Sequence, residues 1–184
     1  MLKPICLILM SLFLGLLCLQ GMAQVYTINA GNILFKSEAR LELIKANSNE
    51  LKGKLDVGKK TFAFVVKINS FKGFNSPLQR EHFNENYLES IKYPDAYFTG
   101  KIIEDLDFSK DGEYSIRAKG ILVVHGVSQE RIIKSDVTVK NGIVSILSGF
   151  TVQLNDHNIP IPKVVHEKLA SEIKVEVKAA MVQQ

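Results

Sequence analysis

The chain has no tryptophan, and its two cysteines, Cys6 and Cys18, both lie near the N-terminus. From residue 19 onward no thiol exists, so the body of the protein can form no disulfide and no thiolate metal site. Its stability must come from a packed core. A Gly-x-Ser-x-Gly nucleophile elbow is missing, and so is a Gly-x-x-x-x-Gly-Lys phosphate loop. The net charge is only +4, and no five basic residues run together. Lys52, Lys54, Lys59 and Lys60 are interrupted by Gly, Leu, Asp and Val, which reads as a solvated strand face rather than a nucleic-acid patch. The longest apolar run, Ile5 to Leu19, is shorter than the ~20 residues a bilayer span requires.

That run has a different reading. Lys3 gives a positive start, the apolar stretch follows, and Gly21-Met22-Ala23 places small residues at −3 and −1 before Gln24. This is the layout of a cleaved signal peptide, residues 1–23. Lipoprotein processing at Cys18 is the weaker alternative, because Leu17 is bulky where small residues are usual. The expectation is an exported protein, periplasmic or secreted, with one domain over residues 24–184 and no membrane-spanning segment after cleavage.

From residue 33 onward the dominant pattern is alternation. Ile33, Phe35 and Ser37 share a side, as do Leu41 and Leu43, then Leu51, Gly53, Leu55 and Val57, then Phe62, Phe64, Val66 and Ile68. The second half continues with Phe98, Gly100 and Ile102; Tyr114, Ile116 and Ala118; Leu122 and Val124; Ile133, Ser135, Val137 and Val139; and Ile146, Ser148, Phe150, Val152 and Leu154. Ile173, Val175, Val177, Ala179 and Met181 end the series. Period two with one apolar face indicates strands with one side on an interior. Turn signals at Val57-Gly58-Lys59, Lys110-Asp111-Gly112, Gly126 and Asn141-Gly142 suggest antiparallel hairpins. Helical spacing of Phe83, Tyr87, Leu88 and Ile91 predicts a helix within 77–92, and 163–171 is a second short helical candidate. Eight or more such strands hide their edges best by closing, so the expected fold is all-β, an antiparallel barrel with one or two short helices.

Two stretches carry a family resemblance. Tyr87-Leu88-Glu89-Ser90-Ile91-Lys92-Tyr93-Pro94-Asp95-Ala96-Tyr97-Phe98 resembles the Tyr-Pro segment of the YceI family, followed by an aromatic entering a strand. Gly120-Ile121-Leu122-Val123-Val124-His125-Gly126-Val127-Ser128 is similar to that family's Gly-x-Leu-Thr-Ile-His-Gly-Val-Thr. The order of elements from about residue 25 to 182 agrees. The resemblance implies a lipocalin-like barrel outside the cytoplasm, some of whose members enclose a polyisoprenoid chain. Two departures mark a short divergent branch: no histidine lies between Ile33 and Leu43, and Arg80-Glu81-His82 only partly matches the family's Arg-Asp-x-His.

The candidate lining of a lipid-binding interior is Phe62, Phe64, Val66, Ile102, Leu122, Val124, Ile146, Phe150 and Val152. Small inward positions at Gly53, Gly100, Ala118 and Ser148 favour open space over a filled core. His82, His125, His157 and His166 lack metal-ligand spacing. His125 reads as a structural hydrogen-bonding residue, His82 as a helix-surface residue, and Asp156-His157 as a loop tip. No catalytic residue, cofactor or metal is expected. The leading function is non-catalytic carriage of an amphipathic, isoprenoid-type lipid. The alternatives are a filled barrel acting through its surface as an interaction or envelope-stress protein, and an enzyme with an unrecognised site.

Overall fold

The structure, a computed structural model, describes residues 24–184. The leader assigned to residues 1–23, with Cys6 and Cys18, lies outside the described residues. Nine antiparallel strands follow: β1 (Val25–Glu38), β2 (Leu43–Ser48), β3 (Lys52–Asp56), β4 (Thr61–Lys67), β5 (Asp95–Ile102), β6 (Gly112–Val124), β7 (Val127–Lys140), β8 (Ile143–Gln153) and β9 (Glu172–Gln183). Each pairs with the next from β3 to β9, and β9 returns to β1 along Tyr26–Ser37. The other edge of β1 is shared. Val25–Thr27 pair with β3, and Ile33–Glu38 pair with β2. Thus β2 and β3 occupy one strand position broken at residues 49–51, and the barrel closes with eight. The β1–β9 pairing closes the sheet, and among the described strands β2 alone keeps a free side, bridged once from Asn47 to Lys72.

The inward faces follow the alternation on almost every strand. Leu51, Leu55, Phe62, Val66, Ile68, Ile102, Ile116, Ala118, Leu122, Ile133, Val137, Val139, Val144, Val152, Ala179 and Met181 are all buried. β2 is the exception. Leu41 lies in the β1–β2 turn, and Leu41 and Leu43 are 59% and 52% exposed, while Ala46 and Ser48 are buried. The turn adds a residue to the count, and one residue of register inverts a strand. The first strand also begins earlier than its alternation, at Val25, because a bulge between Ile28 and Ala30 breaks the period.

Two hairpins are tight. His125 and Gly126 (φ 52° and 70°) join β6 to β7, and Asn141 and Gly142 (φ 52° and 75°) join β7 to β8. Two successive positive φ values are the type I′ requirement. Gly126 has a second reason to be glycine, since a Cβ there would lie 2.4 Å from the Tyr93 ring. Asp111-Gly112 is not a tight hairpin. Gly112 opens β6, and residues 103–111 form a longer connection that buries Phe108 against Tyr26 under the barrel.

At the opposite end the chain between β4 and β5 crosses the mouth. Ser76 caps α1 (Pro77–His82) by accepting the Gln79 N–H, and Pro77 sits where a missing N–H costs nothing. A π-helical turn, Phe83–Tyr87, ends the helix. Ile91, expected on its apolar face, lies beyond that end and is 97% exposed. The second helical candidate is a single 3-10 turn, Lys163–Val165. No helix among the described residues is long and apolar enough to cross a membrane.

Candidate binding chamber

The barrel's inward side chains do not fill it. Two adjoining chambers remain, a lower one of about 120 Å³ and an upper one of about 300 Å³. Ile33, Val66, Ala96, Leu122 and Phe150 line both and form a waist between them. The upper volume reaches the range of small-molecule sites, roughly 300–1,000 Å³. All nine expected lining residues face this space. Phe62, Phe64, Val66, Ile102, Leu122, Ile146 and Phe150 line the lower chamber; Val66, Leu122, Val124, Phe150 and Val152 line the upper.

The lower chamber ends blind. Phe108, Ile102 and Ile116 close its floor, with Phe62 and Phe98 in ring contact at 4.9 Å. Ser135 and Ser148 are its polar residues, a directly opposed pair on β7 and β8. Their hydroxyl oxygens lie 2.5 Å apart. Of the four small inward positions, Ala118 and Ser148 do face the chamber. Gly53 and Gly100 do not. A Cβ on Gly53 would sit 2.4 Å from the Phe64 ring, which covers it from the paired strand. Gly100 pairs with Gly120, and a Cβ on Gly100 would meet the Lys119 carbonyl at 2.1 Å. Gly53 makes way for a ring and Gly100 permits close backbone approach, so neither leaves open space.

The upper chamber is roofed by four phenylalanines from three places in the chain. Phe83 stacks on Phe35 with centroids 5.3 Å apart and planes at 15°, and Phe71 and Phe74 contact both rings. The rim is polar. Glu42 accepts from Gln79 Nε2 at 2.5 Å, tying α1 to the β1–β2 turn. His82 and Lys168 stand at the same rim, and both are exposed. Ser37, deep in the wall, accepts the Ala170 N–H at 2.9 Å. An apolar interior with a polar rim at one end suits an amphipathic guest. Each CH₂ moved from water to such a wall gains about 0.8 kcal/mol, less the cost of ordering the chain.

Two histidines brace this end without entering the chamber. His125 Nε2 meets Glu89 Oε2 at 2.6 Å, its Nδ1 meets the His157 carbonyl at 3.0 Å, and Tyr93 packs edge-on at 4.7 Å. His157 is 1% exposed, not a loop tip. Its Nδ1 lies 3.2 Å and 3.1 Å from the Val124 and Val127 carbonyls, so an Nδ1–H can serve both. Burial holds its pKa below the ordinary value despite those carbonyls. The group locks the β6–β7 hairpin to the segments on either side. Among the described residues, no three His, Cys, Asp or Glu side chains are placed to hold a metal ion.

Sequence reasoning passed over Phe108, the Phe35 and Phe83 stack, and the Ser135–Ser148 pair. Leu106 and Phe108 do alternate with Asp105 and Asp107, a short signal inside what reads as a turn. Ser135 and Ser148 stand on otherwise apolar strand faces, but their opposition needs the β7–β8 register.

Residues 26–181 match the YceI-like domain family. No curated protein matches the chain. Among solved structures, a polyisoprenoid-binding domain from Saccharophagus degradans, implicated in plant cell wall breakdown, superposes with a TM-score of 0.75. It is 13% identical, over 88% of this chain and 99% of that one. BcnA of Burkholderia cenocepacia gives 0.68 at 11% identity, over 82% and 95% of the two chains. The YceI protein of Campylobacter jejuni gives 0.52 at 15% identity, over 71% and 77%. At these identities the likeness establishes the shared barrel.

Proposed function

We propose that this chain, which belongs to the YceI-like domain family, is an exported, non-catalytic carrier that holds one amphipathic lipid of isoprenoid type inside its barrel. The observation that carries the reading is the pair of unfilled apolar chambers running from a polar rim to a closed floor. A dry core would fill this space with side chains. The Saccharophagus domain, which shares the barrel, is a polyisoprenoid-binding domain. Branched chains suit the interior, because Ile, Val, Leu and Phe walls offer irregular contacts along its length. The leader-like residues 1–23 support export, where a water-insoluble chain needs a soluble shell.

In this reading the aliphatic end enters first, Phe35, Phe71, Phe74 and Phe83 cover the upper part, and Glu42, Gln79, His82 and Lys168 meet the polar end. Phe62, Phe64, Val66, Ile102, Leu122, Val124, Ile146, Phe150 and Val152 are the contact surface. Delipidated protein titrated with an environment-sensitive fluorescent fatty-acid probe tests it. The expected result is saturation at one probe per chain and displacement by farnesol and geranylgeraniol. Absence of probe uptake, or displacement by neither alcohol, would overturn it.

A further inference from the structure

The wall of the lower chamber, one inward position below Phe150 at the waist, holds a polar feature that an all-hydrocarbon guest would waste. Ser135 and Ser148 are each more than nine-tenths buried, face the chamber and bond to each other at 2.5 Å. Two hydroxyls own two protons, and one proton lies between the two oxygens. Neither hydroxyl has any other partner among the described residues. One O–H therefore remains, surrounded by apolar walls.

A second buried serine pair shows how this chain uses both protons where no guest is involved. Ser70 donates to the Lys67 carbonyl at 2.5 Å. Ser48 Oγ lies 2.6 Å from Ser70 Oγ and accepts the Glu50 N–H at 3.0 Å, so its own proton goes to Ser70. That pair is closed. The pair in the chamber is open by one donor, and a buried donor without an acceptor is costly.

We propose that Ser135 and Ser148 form a hydrogen-bond site for one oxygen acceptor on the part of the guest that lies below the waist. The inference rests on the carrier reading and sharpens it. The preferred cargo is an apolar isoprenoid-type chain whose inserted part carries a carbonyl or ether oxygen. A pair of hydroxyls sharing one proton donates better than a lone serine, since hydrogen-bonded chains polarise one another. The acceptor must be neutral. Among the chamber's lining residues there is no cation, so a phosphate or carboxylate driven to this depth would be an uncompensated charge. This separates the deep site from the rim, where Lys168 and His82 can meet a charged group.

The test compares farnesylacetone, an isoprenoid methyl ketone, with farnesane, a hydrocarbon of related skeleton. Both displace the fluorescent probe from delipidated full-length protein, in the wild type and in the Ser135→Ala/Ser148→Ala double variant. Removing both partners together leaves no orphaned group, so the variant is expected to fold. The wild type should favour the ketone by about fivefold to tenfold, the size of one neutral hydrogen bond. The double variant should lose that preference by weakening ketone binding alone. The carbonyl stretch of the bound, ¹³C-labelled ketone gives a second reading. It should lie at lower wavenumber in the wild type than in the double variant. Hydrocarbon and ketone binding equally to the wild type would refute the deep site and leave the carrier reading standing. So would a preference and a carbonyl shift that both survive the double substitution. Failure of both compounds to bind the wild type would refute the carrier reading and the deep site together.

Discussion

Blocking the waist should cut the lower chamber off from the upper one. Ala96 on β5 lines both chambers opposite bulkier neighbours, and Ala96→Phe places a ring where the two spaces meet. The lower chamber, about 120 Å³, holds roughly four methylene-sized groups if each takes about the 30 Å³ share of a water molecule. At about 0.8 kcal/mol per buried CH₂, excluding them costs about 3 kcal/mol of binding. That is roughly a hundredfold loss of affinity for a chain long enough to reach the floor. A short alcohol that occupies only the upper chamber should lose little. The assay is probe displacement by an isoprenoid alcohol series of increasing length, on wild type and variant. In the wild type, affinity should rise with each added unit until the floor is reached; in Ala96→Phe it should stop rising early. Thermal melting guards against a folding defect, since overpacking costs about 1–3 kcal/mol and would lower Tm without length dependence. Equal affinity of both proteins across the whole series would refute the two-chamber account.

The floor should be movable. Phe108→Ala removes a ring that is 4% exposed, should cost about 3–5 kcal/mol in denaturant unfolding, and should extend the length preference to longer chains. Gly120→Ala should be severely destabilising, because its Cβ would lie 2.2 Å from the Thr99 carbonyl; loss of soluble folded protein, or a large drop in urea midpoint, is the expected result. His157 makes stability depend on pH. Its folded pKa lies below the ordinary value near 6.5, so its contribution is complete above that pH and is lost as pH falls and the unfolded chain takes up the proton first. Tm should fall between pH 7 and pH 5 in the wild type and less so in His157→Gln, whereas parallel curves would remove His157 as the cause. Glu38, Glu104, Glu176, Asp56 and Asp107, all held below ordinary carboxylate values by lysine, arginine or hydrogen-bond partners, should act only at lower pH.

Much of the barrel is legible because period-two alternation is a local property of each strand. The faces of β3 through β9 follow directly from it, and so do nine of the residues that line the chambers. Failures arise where one residue changes the count. The turn before β2 turned Leu43 outward, and the bulge at Ile28 and Ala30 hid the first half of β1. Asp111-Gly112 has the composition of a tight hairpin, yet Phe108 gains more from burial under the barrel than a short turn would allow. The helix was expected to reach Ile91, but a positive φ at Glu89 lies between its π-turn end and Ile91. Features that depend on register between distant strands leave almost no local trace. The Gly100–Gly120 contact, the Phe64 ring over Gly53 and the Ser135–Ser148 pair all require knowing which residue stands opposite which. His157 reads as a loop residue by position, yet it is buried with its Nδ1 against two carbonyls from the distant β6–β7 hairpin.

The central claim is that the chambers hold an apolar chain in the protein's working state. Native mass spectrometry of the protein, purified gently from producing cells and measured before and after organic extraction, tests it most directly. The account predicts one adduct per chain, lost on extraction, whose mass marks an isoprenoid-type lipid, and its return when farnesylacetone or geranylgeraniol is added back. A protein that is bare before extraction and stays bare when those compounds are supplied would contradict it.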